Sequence, residues 1–197
     1  MLDMAGYSNR AGRASNCDSL IWRERDFGAA AALCSAQKER ADIIGAARLA
    51  SLRLLELAGE ARCADDADQT VRGVMKEICT DGFPDAVFDA ALLVVREGKA
   101  IWAGAGSARL YVFADGSMRR FGASPDITSA ETKFAPGDAL LLGSGGFCRD
   151  VPGFECGIDL CKSKDAARWM EYLTLRHIER SQFSGDSVSV LLCISGE

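Results

Sequence analysis

The residues best suited to chemistry in this chain are eight cysteines and a single histidine. A zinc site wants Cys at C-x-x-C spacing or several His, and the nearest Cys pair here is Cys156 and Cys161. Zinc is therefore not expected. The eight cysteines (Cys17, Cys34, Cys63, Cys79, Cys148, Cys156, Cys161, Cys193) lie mostly in apolar runs of a chain long enough to fold without staples, so reduced, mostly buried thiols are expected rather than disulfides. Cys17 follows Arg13, and a thiol exposed beside a guanidinium would gain thiolate character and become a nucleophile. The Cys-x5-Arg order of cysteine phosphatases is absent, because the Arg comes first. Ser144-Gly145-Gly146 offers backbone amides to an anion but lacks the Walker spacing and its lysine, so a tight turn is the simpler reading. His177, on an apolar helical face beside Arg176, reads as a packing residue. Trp22, Trp102 and Trp169 are too scattered to stack on bases. Asp18 and Asp186, taken alone, are turn carboxylates that accept nearby backbone amides.

These residues hang on elements that the apolar pattern predicts. Short apolar runs from Ser19 to Cys34, broken by charges at Arg23 to Asp26, read as two strands and a turn. Ile43, Ala47, Ala50, Leu54 and Leu57 keep helical spacing up to a stop at Gly59. A second helix carries Val71, Val74, Met75 and Ile78, with Asp65, Asp66 and Asp68 near its positive N-terminal end and Gly82 past its finish. Strands follow at Ala90 to Val95, Ala100 to Ala105, Leu110 to Phe113 and Met118 to Phe121, with turns at Glu97-Gly98 and Asp115-Gly116. Asp138 to Gly143 reads as a buried strand, Asp165 to Arg180 as a helix and Val188 to Ile194 as a last strand. Strands that cluster rather than alternate with helices favour antiparallel sheets covered by helices.

Composition bounds the function. The chain has 197 residues, of which 48% are apolar and 26% charged, ordinary values for a globular protein, and one domain spanning 1–197 is expected. Its 23 basic and 28 acidic side chains leave a formal charge of −5. With a pI near 5.0 and no basic cluster, nucleic acid is an improbable partner. No apolar stretch approaches the ~20 residues of a membrane helix, and the polar start from Met1 to Arg13 lacks a signal segment, so a cytoplasmic protein with no membrane partner is expected.

Five stretches, in order from about Gly6 to Ile194, together resemble the metal-dependent serine/threonine phosphatases of the type 2C (PPM) family. Gly12-Arg13-Ala14-Ser15-Asn16-Cys17-Asp18 resembles the opening motif, an Arg followed after three residues by Glu-Asp. Ala32-Leu33-Cys34-Ser35-Ala36 stands where the family has Val-Ala-Asp-Gly, followed by a helix with Ala50-Ser51. Ala105-Gly106-Ser107-Ala108-Arg109-Leu110-Tyr111 resembles Gly-Asp-Ser-Arg-x-Tyr. Pro136-Gly137-Asp138-Ala139-Leu140-Leu141-Leu142-Gly143-Ser144-Gly145-Gly146-Phe147 is similar to Pro-Gly-Asp-x-Leu-Leu-Leu-x-Ser-Asp-Gly-Leu. Gly185-Asp186-Ser187-Val188-Ser189-Val190 resembles Asp-Asn-x-Thr-Val. The resemblance implies an α+β fold, a four-layer α-β-β-α sandwich of two antiparallel sheets flanked by helices.

It also implies carboxylates that hold two Mg²⁺ or Mn²⁺ ions roughly 4 Å apart and a bridging water that attacks phosphorus. The departures fall on those ligands. The expected carboxylates are replaced by Cys17, Ser35, Ser107 and Gly145, and only Asp18 and Asp186 remain, enough for one weakly held Mg²⁺ or Mn²⁺. Arg13, which by resemblance binds the substrate phosphate, is kept, and its fork suits a phosphate dianion. The expectation is a pseudophosphatase that binds a phosphoprotein or signalling partner without hydrolysing it. The alternatives are an active phosphoserine/phosphothreonine phosphatase with a remodelled metal site, and a structural or oligomeric partner. The segment between Phe147 and Gly185 matches the part of the family that flanks the cleft, which makes it a candidate for partner choice.

Overall fold

The chain, as a computed structural model, is described over residues 1–181 and 186–196. Among the described residues the elements run β1 (Leu2–Asn9), β2 (Asp18–Arg25), β3 (Gly28–Ala36), α1 (Ala41–Leu57), α2 (Ala64–Asp81), β4 (Phe88–Arg96), β5 (Lys99–Ala114), β6 (Ser117–Lys133), β7 (Ala139–Gly143), α3 (Gly145–Asp150), α4 (Gly153–Leu160), α5 (Ala166–Ser181) and β8 (Val188–Ser195). The strands are antiparallel and hydrogen-bonded in the path β1-β8-β7-β5-β4-β3-β2, with β6 on β5. β5 serves both halves: Lys99 to Ala105 pair with β4, and Arg109 to Phe113 pair with β7. Its pairing with β6 shifts register between Gly104 and Arg109, the bulge at which it passes from one sheet to the other.

Residue parity then sorts the side chains into three cores. Even residues of β3 and β4 (Ala30, Ala32, Cys34, Ala90, Leu92, Val94) pack against α1 and α2 through Ile43, Ala47, Leu54, Val71 and Val74. Odd ones (Ala31, Leu33, Leu93) face Leu110, Val112, Leu140, Leu142 and Leu191 in the layer between the sheets, with Trp102 fully buried there. The outer faces of β7 and β8 (Leu141, Val190, Leu192) meet α3, α4 and α5 through Phe147, Cys156, Trp169 and Leu173. The expected four-layer α-β-β-α sandwich is present, with a packed layer on each side of each sheet. β4 is buried on both faces, so its sequence reads as a continuous apolar run. Where β1 and β2 face each other across the sandwich, the Trp22 indole lies over Gly6; a Cβ there would sit 2.4 Å from the ring.

Some boundaries differ from the sequence reading. The charged residues Arg23 to Arg25 continue β2 instead of breaking it, because β2 ends the strand path and leaves Arg23 and Glu24 in solvent, while Arg25 donates to the Leu55 carbonyl of α1. The two strands expected between Ala100 and Phe113 are one, and the strand from Met118 runs on to Lys133. β1, α3 and α4 were not anticipated. Both expected hairpin turns form, with Glu97-Gly98 and Asp115-Gly116 at positive φ in both residues, as a type I′ connection requires. All eight cysteines are free, and burial pushes the Cys148 and Cys193 thiols up to about 12. Among the described residues no helix is long and apolar enough to cross a membrane.

An ion cluster fixes α4 against α5. Arg176 grips both carboxylate oxygens of the buried Asp159, through Nε and, at 2.9 Å, through Nη2, and its Nη1 reaches Glu155 at 3.1 Å. Removing the guanidinium would strand a buried carboxylate. Arg176→Ala should therefore cost about 3 kcal/mol in urea unfolding, whereas Arg168→Ala, which breaks an exposed pair with Glu171, should cost less than ~1 kcal/mol.

Candidate functional site

The end of the sandwich where β5 changes sheets opens into a cleft of about 680 Å³. Its floor is a row across three strands: Asp18 on β2 stands opposite Ser35 on β3, which stands opposite Asp89 on β4. Ser35 donates to Asp18 Oδ1 at 2.5 Å. Asp89 reaches the β5 bulge, where its Oδ2 accepts the Ser107 amide at 2.9 Å and the Ser107 hydroxyl, while its Oδ1 accepts Gln37 Nε2 at 3.0 Å. The approach depends on Gly106, whose φ is +89° and where a Cβ would lie 2.0 Å from Asp89 Oδ1.

Arg13, Cys17, Ser35, Ser107, Gly145 and Asp186 all line this cleft. Asp18 lies beneath it, 5% exposed, and touches it through Ser35. Burial raises the Asp18 pKa; the hydroxyls of Ser35, Ser144 and Ser189 pull it back only in part. Gly185, which opens the last motif, falls outside the described residues. His177 is buried near Asp150, Nδ1 to Oδ2 3.4 Å, away from the cleft lining, and burial lowers its pKa.

The charges that dominate the opening are arginines. Asp186 Oδ1 accepts Arg13 Nη2 at 2.7 Å, and its Oδ2 accepts Arg149 Nη1 at 2.5 Å. The hydrogen bonds from Arg149 and then Arg13 hold the Asp186 pKa below the usual carboxylate range. Arg13 Nη1 also lies 3.4 Å from Cys17 Sγ, and the Cys17 amide donates to Ser187 Oγ at 2.9 Å. Arg109 adds a third guanidinium to the lining. Asp89, Gln37 and Arg149 were missed from sequence. Asp89 had a signal, a lone charge in the apolar run Phe88 to Val95; Gln37 and Arg149, in short polar stretches, had none.

No protein-family model matches the sequence, and no curated protein matches it either. Solved structures do. The catalytic domain of the serine/threonine protein phosphatase PstP in complex with two manganese ions superposes with a TM-score of 0.77 at 17% identity, over 100% of this chain and 99% of that one. PppA, a key regulatory component of T6SS in Pseudomonas aeruginosa, gives 0.73 at 18% identity, over 98% and 97%. RsbX in complex with magnesium gives 0.71 at 14% identity, over 98% and 94%. The chain has the PPM phosphatase fold.

On this PPM frame the donor set does not fit a pair of hard cations, which need oxygen ligands and mostly anionic ones. Cys17 offers a soft sulfur. Ser35 and Ser107 are neutral and spend their protons on Asp18 and Asp89. Gly145 has no side chain, and a Cβ there would meet Ser107 Oγ at 2.2 Å and Cβ at 2.5 Å. Both oxygens of Asp186 are taken by guanidinium groups. Among the described residues no cluster of three or more His, Cys, Asp or Glu side chains could hold a metal.

Two outcomes follow from this packing. Gly145→Asp, which returns one motif carboxylate, should lower stability by about 1–3 kcal/mol through the Ser107 clash, read by thermal melting, and should not create Mn²⁺ affinity in calorimetry. For Asp18, a folded pKa above the unfolded one means that stability falls as pH rises from about 4. Asp18→Asn should raise the urea midpoint at pH 7 and lose that advantage at pH 3.

Proposed function

We propose that this PPM-fold chain is a pseudophosphatase: a single domain over 1–197, acting in the cytoplasm, that binds a phosphoprotein or signalling partner and does not hydrolyse phosphoester bonds by the two-metal route. The observation that carries this reading is the pairing of a kept phosphate-type arginine, Arg13, with a cleft whose ligand positions hold Cys17, Ser35, Ser107 and Gly145. Loss of anionic ligands beside Arg13, Arg109 and Arg149 makes the opening attractive to an anion, and a guanidinium fork suits a phosphoryl group. Nucleic acid and membranes are not proposed as partners. The PppA neighbour, a regulatory component in its own system, supports a regulatory role. Asp18 and Asp186 are left with structural and electrostatic duties, and α3 to α5 beside the cleft are where partner choice would reside.

The test has two arms. With Mn²⁺ and p-nitrophenyl phosphate, the chain should show no turnover above that of the metal alone; turnover that vanishes in Asp186→Ala would establish the remodelled enzyme instead. A phosphoseryl peptide should bind, and Arg13→Ala should weaken it by about 1.5–3 kcal/mol in fluorescence anisotropy, the loss of one charge-assisted contact.

A further inference from the structure

The phosphate-facing arginine is not free, and what occupies it is part of the same chain. Each oxygen of the Asp186 carboxylate accepts from a different guanidinium, Arg13 at 2.7 Å and Arg149 at 2.5 Å. Arg13 comes from the β1–β2 loop and Arg149 from α3. The carboxylate therefore gauges the gap between the two: wide enough for a planar anion with two oxygens on one atom. A phosphoryl group presents the same pair of oxygens, a third acceptor, and a charge of about −1.5 to −2 against −1. Arg109 lines the same cleft, and among the described residues its buried Nε has no hydrogen-bond partner.

We infer that Arg13 and Arg149 form a two-armed clamp for a phosphoryl dianion, and that Asp186 is its built-in occupant, displaced when the dianion binds. This rests on the phosphoryl-binding reading above and deepens it by adding Arg149 as a binding residue and Asp186 as an internal competitor. Displacement is feasible on the geometry. The Asp186 side chain is 41% exposed, so its carboxylate returns to water on leaving, and its backbone precedes β8 and stands outside the strand ladder. No bond is made or broken; two ion pairs are exchanged for two others.

Titration calorimetry in EDTA, so that metal-dependent turnover plays no part, tests the clamp with inorganic phosphate, a phosphoseryl peptide and its unphosphorylated form. Asp186→Asn should bind phosphate and phosphopeptide at least tenfold more tightly than wild type, and adding Arg149→Gln should reverse that gain. Asp186→Ser, which also removes the charge, gives the same reading if the Asn variant does not fold. Equal affinity in wild type and both Asp186 variants would overturn the internal competitor, and no effect of Arg149→Gln would overturn the second arm. Either result leaves the phosphoprotein reading standing as long as Arg13→Ala still weakens the peptide. Phosphate binding as tightly as the peptide would support the clamp and overturn the phosphoprotein as its ligand.

Discussion

The passage of β5 from one sheet to the other governs the molecule. A strand that pairs with β4 over its first half and β7 over its second has to bend, and the bend falls between Gly104 and Arg109. Gly106 permits it with a backbone conformation that L side chains rarely adopt and with no Cβ to collide with Asp89. The same bend parts the two sheets, opens the cleft, turns Ser107 toward Asp89 and returns Arg109 to the ladder beside Gly143. Site and architecture thus share one cause.

Around that opening the electrostatics have been inverted relative to what the motif resemblance implies. A two-metal centre is a sink for cations, built from anionic oxygen. Here, among the described residues, three guanidinium groups face two carboxylates in the lining, and one of those, Asp186, is shared between two arginines. The remaining motif carboxylate, Asp18, is buried among serine hydroxyls, where desolvation raises its pKa. The short polar side chains Ser35 and Ser107 fill the places of anions while keeping the hydrogen bonds that a cleft floor needs.

How much of this was legible in the sequence depended on burial. β4, β7, β8 and the first two helices announce themselves because apolar periodicity is their only way to pack, and the five ordered motifs gave the sandwich. β1 escaped notice because its middle residues are uniformly half-buried and its end, Ser8 and Asn9, is exposed and polar, which leaves little alternation to read; pairing with β8, not composition, makes it a strand. β6 is largely exposed along its length, so nothing in its pattern marks where it ends. The lining set of Arg13, Cys17, Ser35, Ser107, Gly145 and Asp186 was readable as types at motif positions. The grip of Arg149 on Asp186 was not, since it joins residues far apart in the chain through a short helix with no distinguishing pattern.

One small contact on the far flank carries a mechanical consequence. Trp22 from β2 spans to β1 across Gly6, on the side of the sandwich where the two terminal strands of the path face each other without pairing. β5 stitches the opposite side with a continuous backbone; this side is joined by the β1–β2 loop at the cleft end and, along the strands, by an aromatic ring resting on a glycine. That margin is therefore tied at the cleft end and only latched beyond it, and it is beyond the latch that the layers would begin to peel when the molecule opens.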